Sequence, residues 1–106
     1  MAITVAETYR IRAGGLDGAR RFFKDMRDFV ESVGAKNVRV MHPIGGGERV
    51  NDVILTWDFT DGAAFMKFHE DFMASPKREG VLKEVMASDA PVEHVSSLVL
   101  NEVSTM

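Results

Sequence analysis

The chain has 106 residues, 45% of them hydrophobic and 27% charged, with 13 basic against 16 acidic side chains and a formal net charge of −3. That balance is ordinary for a folded globular protein and leaves no basic excess to attract phosphates, so neither nucleic acid nor an anionic membrane is an expected partner. Cysteine is absent, which removes disulfides, thiolate nucleophiles, iron–sulfur clusters and cysteine zinc sites together. No stretch approaches 18 consecutive apolar residues, and residues 1–7 lack a basic start followed by a long apolar run, so the expectation is a cytoplasmic protein with residues 1–106 in one domain.

Residues 3–12 alternate, with Ile3, Val5, Glu7, Tyr9 and Ile11 on one side and Thr4, Ala6, Thr8 and Arg10 on the other, the period of a half-buried strand. After Gly14-Gly15, the residues Leu16, Ala19, Phe22, Phe23, Met26, Phe29, Val30 and Val33 fall within an arc of about 140° at helical pitch, and the charges of that segment lie outside it. Gly34 supplies a left-handed helix terminus. A second strand is expected over 37–42, with Val38, Val40 and His42 in phase, ending at Pro43. The Gly45-Gly46-Gly47 run reads as a hairpin loop: it leads into a strand, so no helix N-terminus is there to hold a phosphate. Residues 51–59 form the third strand, with Val53, Leu55, Trp57 and Phe59 on one face and Ile54, Thr56 and Asp58 on the other.

Thr60 or Asp61 can cap a second helix centred on Phe65, Phe68 and Phe72. Ser75-Pro76 reads as an N-cap with a first-turn proline that restarts it through Val81, Leu82, Val85 and Met86. Residues 92–103 make the last strand, with Val95 and Val99 in one phase and Leu98 and Leu100 in the other. The order βαββαβ implies an α+β, ferredoxin-like domain: a four-stranded antiparallel sheet with both helices on one face and the second broken at Ser75-Pro76. The bare face, with Thr4, Ala6, Thr8, Met41, Ile54, Thr56 and one phase of the last strand, is too apolar for free solvent, which suits a homodimer joined sheet to sheet.

No metal is expected. His42, His69 and His94 make no ligand-spaced pair, and the first and last lie on strands at opposite sheet edges. No Gly-x-Ser-x-Gly element is present either. Glu7, in phase with apolar residues, must be paired, protonated or facing a cavity; the plain alternative is that it tilts to water or pairs with an arginine. Trp57 points toward the helices, as core or as a cavity wall with an indole N–H seeking a partner. His69 stands about 60° from the centre line of its helix, a boundary position that suits a cleft base or an ordinary surface histidine. Phe65, Phe68 and Phe72 with the neighbouring methionines make a soft lining that is either core or the wall of a flat apolar pocket.

Thr56-Trp57-Asp58, Ala64-Phe65, His69 and Ala74-Ser75-Pro76-Lys77 together resemble the pattern of the antibiotic biosynthesis monooxygenase family, within the dimeric α/β barrel superfamily. That resemblance implies a homodimer with two facing sheets and one ligand pocket per subunit between sheet and helices. It also implies a small oxygenase-like enzyme that acts on a phenolic or quinol-type molecule without metal, flavin or other cofactor. Some relatives degrade haem instead. Here Lys77 stands where the family often has histidine, Phe68 lies near the helix tryptophan of the haem-degrading branch and Glu7 near its strand asparagine, so haem degradation is not expected.

On the enzymatic reading His69 is general base and Glu7 an acid or orienting carboxylate, while Trp57, Phe65, Phe68, Tyr9 and Phe72 contact a small apolar aromatic ligand. On the alternative reading the protein is a non-catalytic, dimeric ligand-binding or stress-related barrel, and Glu7, Trp57 and His69 do not converge on a common cavity.

Overall fold

The computed structural model describes residues 2–12, 16–42, 52–87 and 90–101. The Gly45-Gly46-Gly47 connector lies outside these, as do the side chains of Leu16 and Val85. The elements run β1 (Ile3–Ile11), α1 (Leu16–Ser32), β2 (Lys36–Met41), β3 (Asp52–Phe59), α2 (Gly62–Ala74), α3 (Arg78–Met86) and β4 (Val92–Asn101). The strands form one antiparallel sheet in the order β2-β3-β1-β4, the ferredoxin-like arrangement.

Period-2 alternation sets the faces. From β1 and β3, Val5, Tyr9, Val53, Leu55, Trp57 and Phe59 are buried toward the helices, and α1 meets them with Ala19, Phe22, Phe23, Met26, Phe29 and Val30. The helix stripe read from the sequence is therefore the face that packs. Leu55 is fully buried on the third strand, a placement that contributes roughly 2 to 3 kcal/mol by area. Gly34, at φ +104°, ends α1 in the left-handed region, and Ala35 N–H donates to Val30 O at 2.9 Å.

Two irregularities bend the outer strands. In β2 the register shifts between Lys36 and Arg39, with Asn37 at φ +53°, a region that asparagine tolerates better than most residues. Asn37 Nδ2 donates to Asp58 Oδ2 at 2.8 Å. Val38 is buried, but Val40, expected in phase with it, is 44% exposed near the end of this edge strand. In β4, Thr8 pairs with Ser96 and Tyr9 with His94, so Val95 is an extra residue, a β-bulge.

Asp61 is the N-cap of α2, its Oδ1 accepting from Ala64 N–H at 2.9 Å. Ser75 departs from expectation. It is the C-cap of α2, in extended conformation, and α3 begins only at Arg78 with Lys77 as N-cap and no side-chain cap. Proline explains the difference: without an N–H it cannot continue α2, and it drives the preceding residue out of helical conformation. Ser75 Oγ accepts instead from Lys77 N–H at 3.3 Å, inside the turn.

The helices cover one sheet face. On the other, Leu98 is 54% exposed, Leu100 47% and Met41 40%. Among the described residues no helix is long and apolar enough to cross a membrane.

Candidate functional site

Between the sheet and the α2–α3 layer lies a cavity of about 670 Å³, within the size range of small-molecule sites. Its apolar wall comes from Met26 and Val30 of α1, Phe65, Phe68 and Phe72 of α2, and Trp57 of β3, with Val81, Leu82 and Met86 of α3 beyond them. The rings are in mutual contact. Phe68 lies 4.8 Å from Phe59, 6.0 Å from Trp57 and 6.1 Å from Phe72, measured between ring centroids. Trp57 is only 5% exposed, and its Nε1 has no hydrogen-bond partner among the described residues. A buried donor left in that state costs on the order of 1–3 kcal/mol.

The polar end of the cavity belongs to β1 and β4. Glu7 pairs across the sheet with Ser97, and Tyr9 with His94. Ser97 Oγ donates to Glu7 Oε2 at 2.5 Å, and His94 Nε2 stands 2.7 Å from the same oxygen. An ionised carboxylate only accepts, so this nitrogen carries the proton. It also lies 3.1 Å from Ser97 Oγ. Because one imidazole nitrogen faces both partners, this is no nucleophilic triad, in which the acid and the hydroxyl occupy opposite ring nitrogens.

Residues 94 and 97, three apart, would face opposite ways in a regular strand. The Val95 bulge resets the phase and turns both toward Glu7. That is why the sequence reading, which took the strand as unbroken, missed His94 and Ser97. The Val95-and-Val99 phase assigned there fails for the same reason: His94 shares a face with Ser97 and Val99, and Val95 is the extra residue.

Tyr9 is buried beside this cluster. Its ring makes edge contacts with Phe22 at 5.3 Å, Phe23 at 5.5 Å and His94 at 5.3 Å. Burial, and secondarily the charge of Glu7, push its phenol far above the ordinary tyrosine value, so it remains a neutral O–H group. Arg12 Nη1 donates to Ala87 O at 3.3 Å and Ala90 O at 3.1 Å, tying the chain after α3 to the end of β1.

Every residue singled out from the sequence lines this one cavity: Glu7, Tyr9, Trp57, Phe65, Phe68, His69 and Phe72. Glu7 is held by His94 and Ser97 rather than by an arginine. His69 is exposed and lines the cavity, which places it at the mouth. Among the described residues, no three His, Asp or Glu side chains are grouped so as to hold a metal ion.

No family model matches the chain, and no curated protein matches its sequence. Solved structures do. A NIPSNAP domain protein from Burkholderia xenovorans is 19% identical with a TM-score of 0.71, covering 100% of this chain and 98% of that one. A NIPSNAP family protein from Agrobacterium tumefaciens is 13% identical at TM-score 0.69, covering 97% and 94%. SnoaB, a cofactor-independent oxygenase from Streptomyces nogalater, is 15% identical at TM-score 0.64, covering 99% and 96%. The chain thus shares the ferredoxin-like fold of NIPSNAP-like proteins and of a cofactor-independent oxygenase, the fold that its sequence motifs led us to expect.

Proposed function

We propose that the protein binds a flat, apolar phenolic or quinol-type molecule between sheet and helices and acts on it as a small oxygenase-like enzyme. The observation that carries this reading is one cavity with a wall of aromatic rings and a carboxylate held by two donors at its polar end. A ring can stack among the phenylalanines and Trp57 and offer an O–H to Glu7. Removing that proton makes an electron-rich anion that dioxygen can attack. One oxygen atom would remain on the ring as a carbonyl and the other would leave as water, a balance that requires no further reductant. The likeness of fold to SnoaB fits this chemistry. Glu7 and His69 are the candidate proton acceptors, one at the polar end and one at the mouth.

The chain is proposed to work as a homodimer through its open sheet face. The exposed Leu98, Leu100 and Met41 form the kind of apolar surface that usually marks an interface.

Oxygen uptake with 1-naphthol as probe, alongside appearance of 1,4-naphthoquinone, tests the reaction. Uptake should depend on the protein and fall about 100-fold or more in Glu7→Gln or His69→Ala if that residue is the base. The exposure of His69 also suits the alternative, a non-catalytic ligand-binding or stress-related barrel. Saturable 1-naphthol binding without oxygen uptake would select that alternative, and absence of binding would sink both.

A further inference from the structure

Glu7 is an unevenly occupied carboxylate. Two donors, Ser97 Oγ and His94 Nε2, converge on Oε2, whereas Oε1 accepts no hydrogen bond among the described residues. An ionised carboxylate offers about four lone-pair sites, two on each oxygen. Those of Oε1 meet no protein donor among the described residues, and the residue lines the cavity. The arrangement is built by the fold, since only the bulge at Val95 lets residues 94 and 97 face the same carboxylate.

We propose that His94 and Ser97 are positioning residues that pin Glu7 by Oε2 and thereby present Oε1 as the hydrogen-bond and proton acceptor for a hydroxyl group on a flat aromatic ligand. This rests on the phenol-site reading above and adds to it the acceptor atom and the two residues that aim it. Held at one oxygen, the glutamate loses the freedom that would otherwise scatter its reach, which is how a supporting layer of hydrogen bonds prepares a site. When the ligand's proton transfers, its O–H bond breaks and the electron pair stays on the ligand oxygen. A new O–H bond forms at Glu7 Oε1. Oε2, by then the carbonyl oxygen of a neutral acid, keeps accepting from both donors, so the transfer requires no rearrangement of the protein.

The other titratable side chains on the cavity wall are Tyr9, Arg12, His69 and Glu93. Tyr9 stays protonated at neutral pH, Arg12 donates to two backbone carbonyls, and His69 stands at the mouth. None of them duplicates the placement of Glu7 beside His94 and Ser97.

Equilibrium dialysis of the full chain against 1-naphthol and against naphthalene, which has the same rings and no hydroxyl, tests the proposal. The wild-type protein should prefer 1-naphthol by about tenfold or more, as expected for a hydrogen bond to a charged acceptor. In Ser97→Ala and His94→Ala the preference should fall to within about threefold, on the same scale. Ser97→Thr and His94→Gln, which keep a donor, should restore it. A cooperative thermal transition retained across the set, read by circular dichroism, shows that each variant is folded, and the ratio of the two affinities cancels any change in the apolar wall common to both probes. A full preference retained in both alanine variants overturns the proposal. So does equal binding of the two probes by the wild-type protein, which leaves the apolar cavity standing and removes only the acceptor. Binding of neither probe would overturn the phenol-site reading itself.

Discussion

Glu7 and Asp58 show how a carboxylate's neighbours decide its task. Glu7 faces the helices and the cavity, where two donors meet at one of its oxygens. Asp58 lies on the opposite face of the sheet and is bracketed by donors, Thr4 Oγ1 on Oδ1 and Asn37 Nδ2 on Oδ2, each at 2.8 Å. The hydrogen bond from Asn37, then that from Thr4, hold its carboxyl below the ordinary value of 3.8. A depressed folded value means that the folded state binds the proton less readily than the unfolded one. Its contribution to stability is therefore present above about pH 3.9 and lost as pH falls through the folded value. In Thr4→Val, which removes one donor at nearly constant shape, the loss of stability relative to wild type should be largest near neutral pH and shrink toward about pH 3. Urea midpoints at the two pH values measure it, and a gap that is constant with pH would contradict the assignment.

At the scale of elements, α2 depends on a single side-chain cap and an abrupt stop. Asp61 satisfies one of the orphan N–H groups of the first turn, so Asp61→Ala should cost about 1 kcal/mol, seen as a lowered urea midpoint with unchanged slope. Asp61→Asn should retain most of that stability. The other end illustrates an ambiguity in local sequence. Ser-Pro is compatible both with a helix start and with a helix stop, because a residue without an N–H is equally at home just inside one helix and just beyond another. Packing decides: α2 has to end where Phe72 has met Phe29 and Phe68, and α3 turns away to place Val81 and Leu82 on the cavity wall.

At the scale of the molecule, the chain is a slab 42 × 38 × 17 Å, with helices on one side of the sheet and exposed leucines on the other. If the open face is a dimer interface, sedimentation should give twice the 11.8 kDa chain mass. Leu98→Asp, which sets a charge on that face at the edge strand β4, should then dissociate it to monomers with the helical far-ultraviolet signal retained. A wild-type chain that sediments as a monomer at micromolar concentration would remove the dimer from the proposal. Because the cavity lies on the helix side, a folded monomeric variant should still bind 1-naphthol.

The order of elements, the packing stripe of α1 and the sheet face shared by Glu7 and Trp57 were legible in residue periodicity, because a strand of period two and a helix of period 3.6 commit each side chain to a face before any partner is known. That His69 and the α2 phenylalanines line one cavity with them was only one of two readings the sequence left open, since spacing along a strand or helix does not say whether the layers close on each other. The union of Glu7 with His94 and Ser97 was not legible. Those residues lie almost ninety positions apart in sequence from Glu7, and the bulge that aligns them arises from the pairing of β1 with β4, a property of two strands together. Side-chain periodicity determined which faces exist, and only the tertiary pairing decided which polar groups would meet on them.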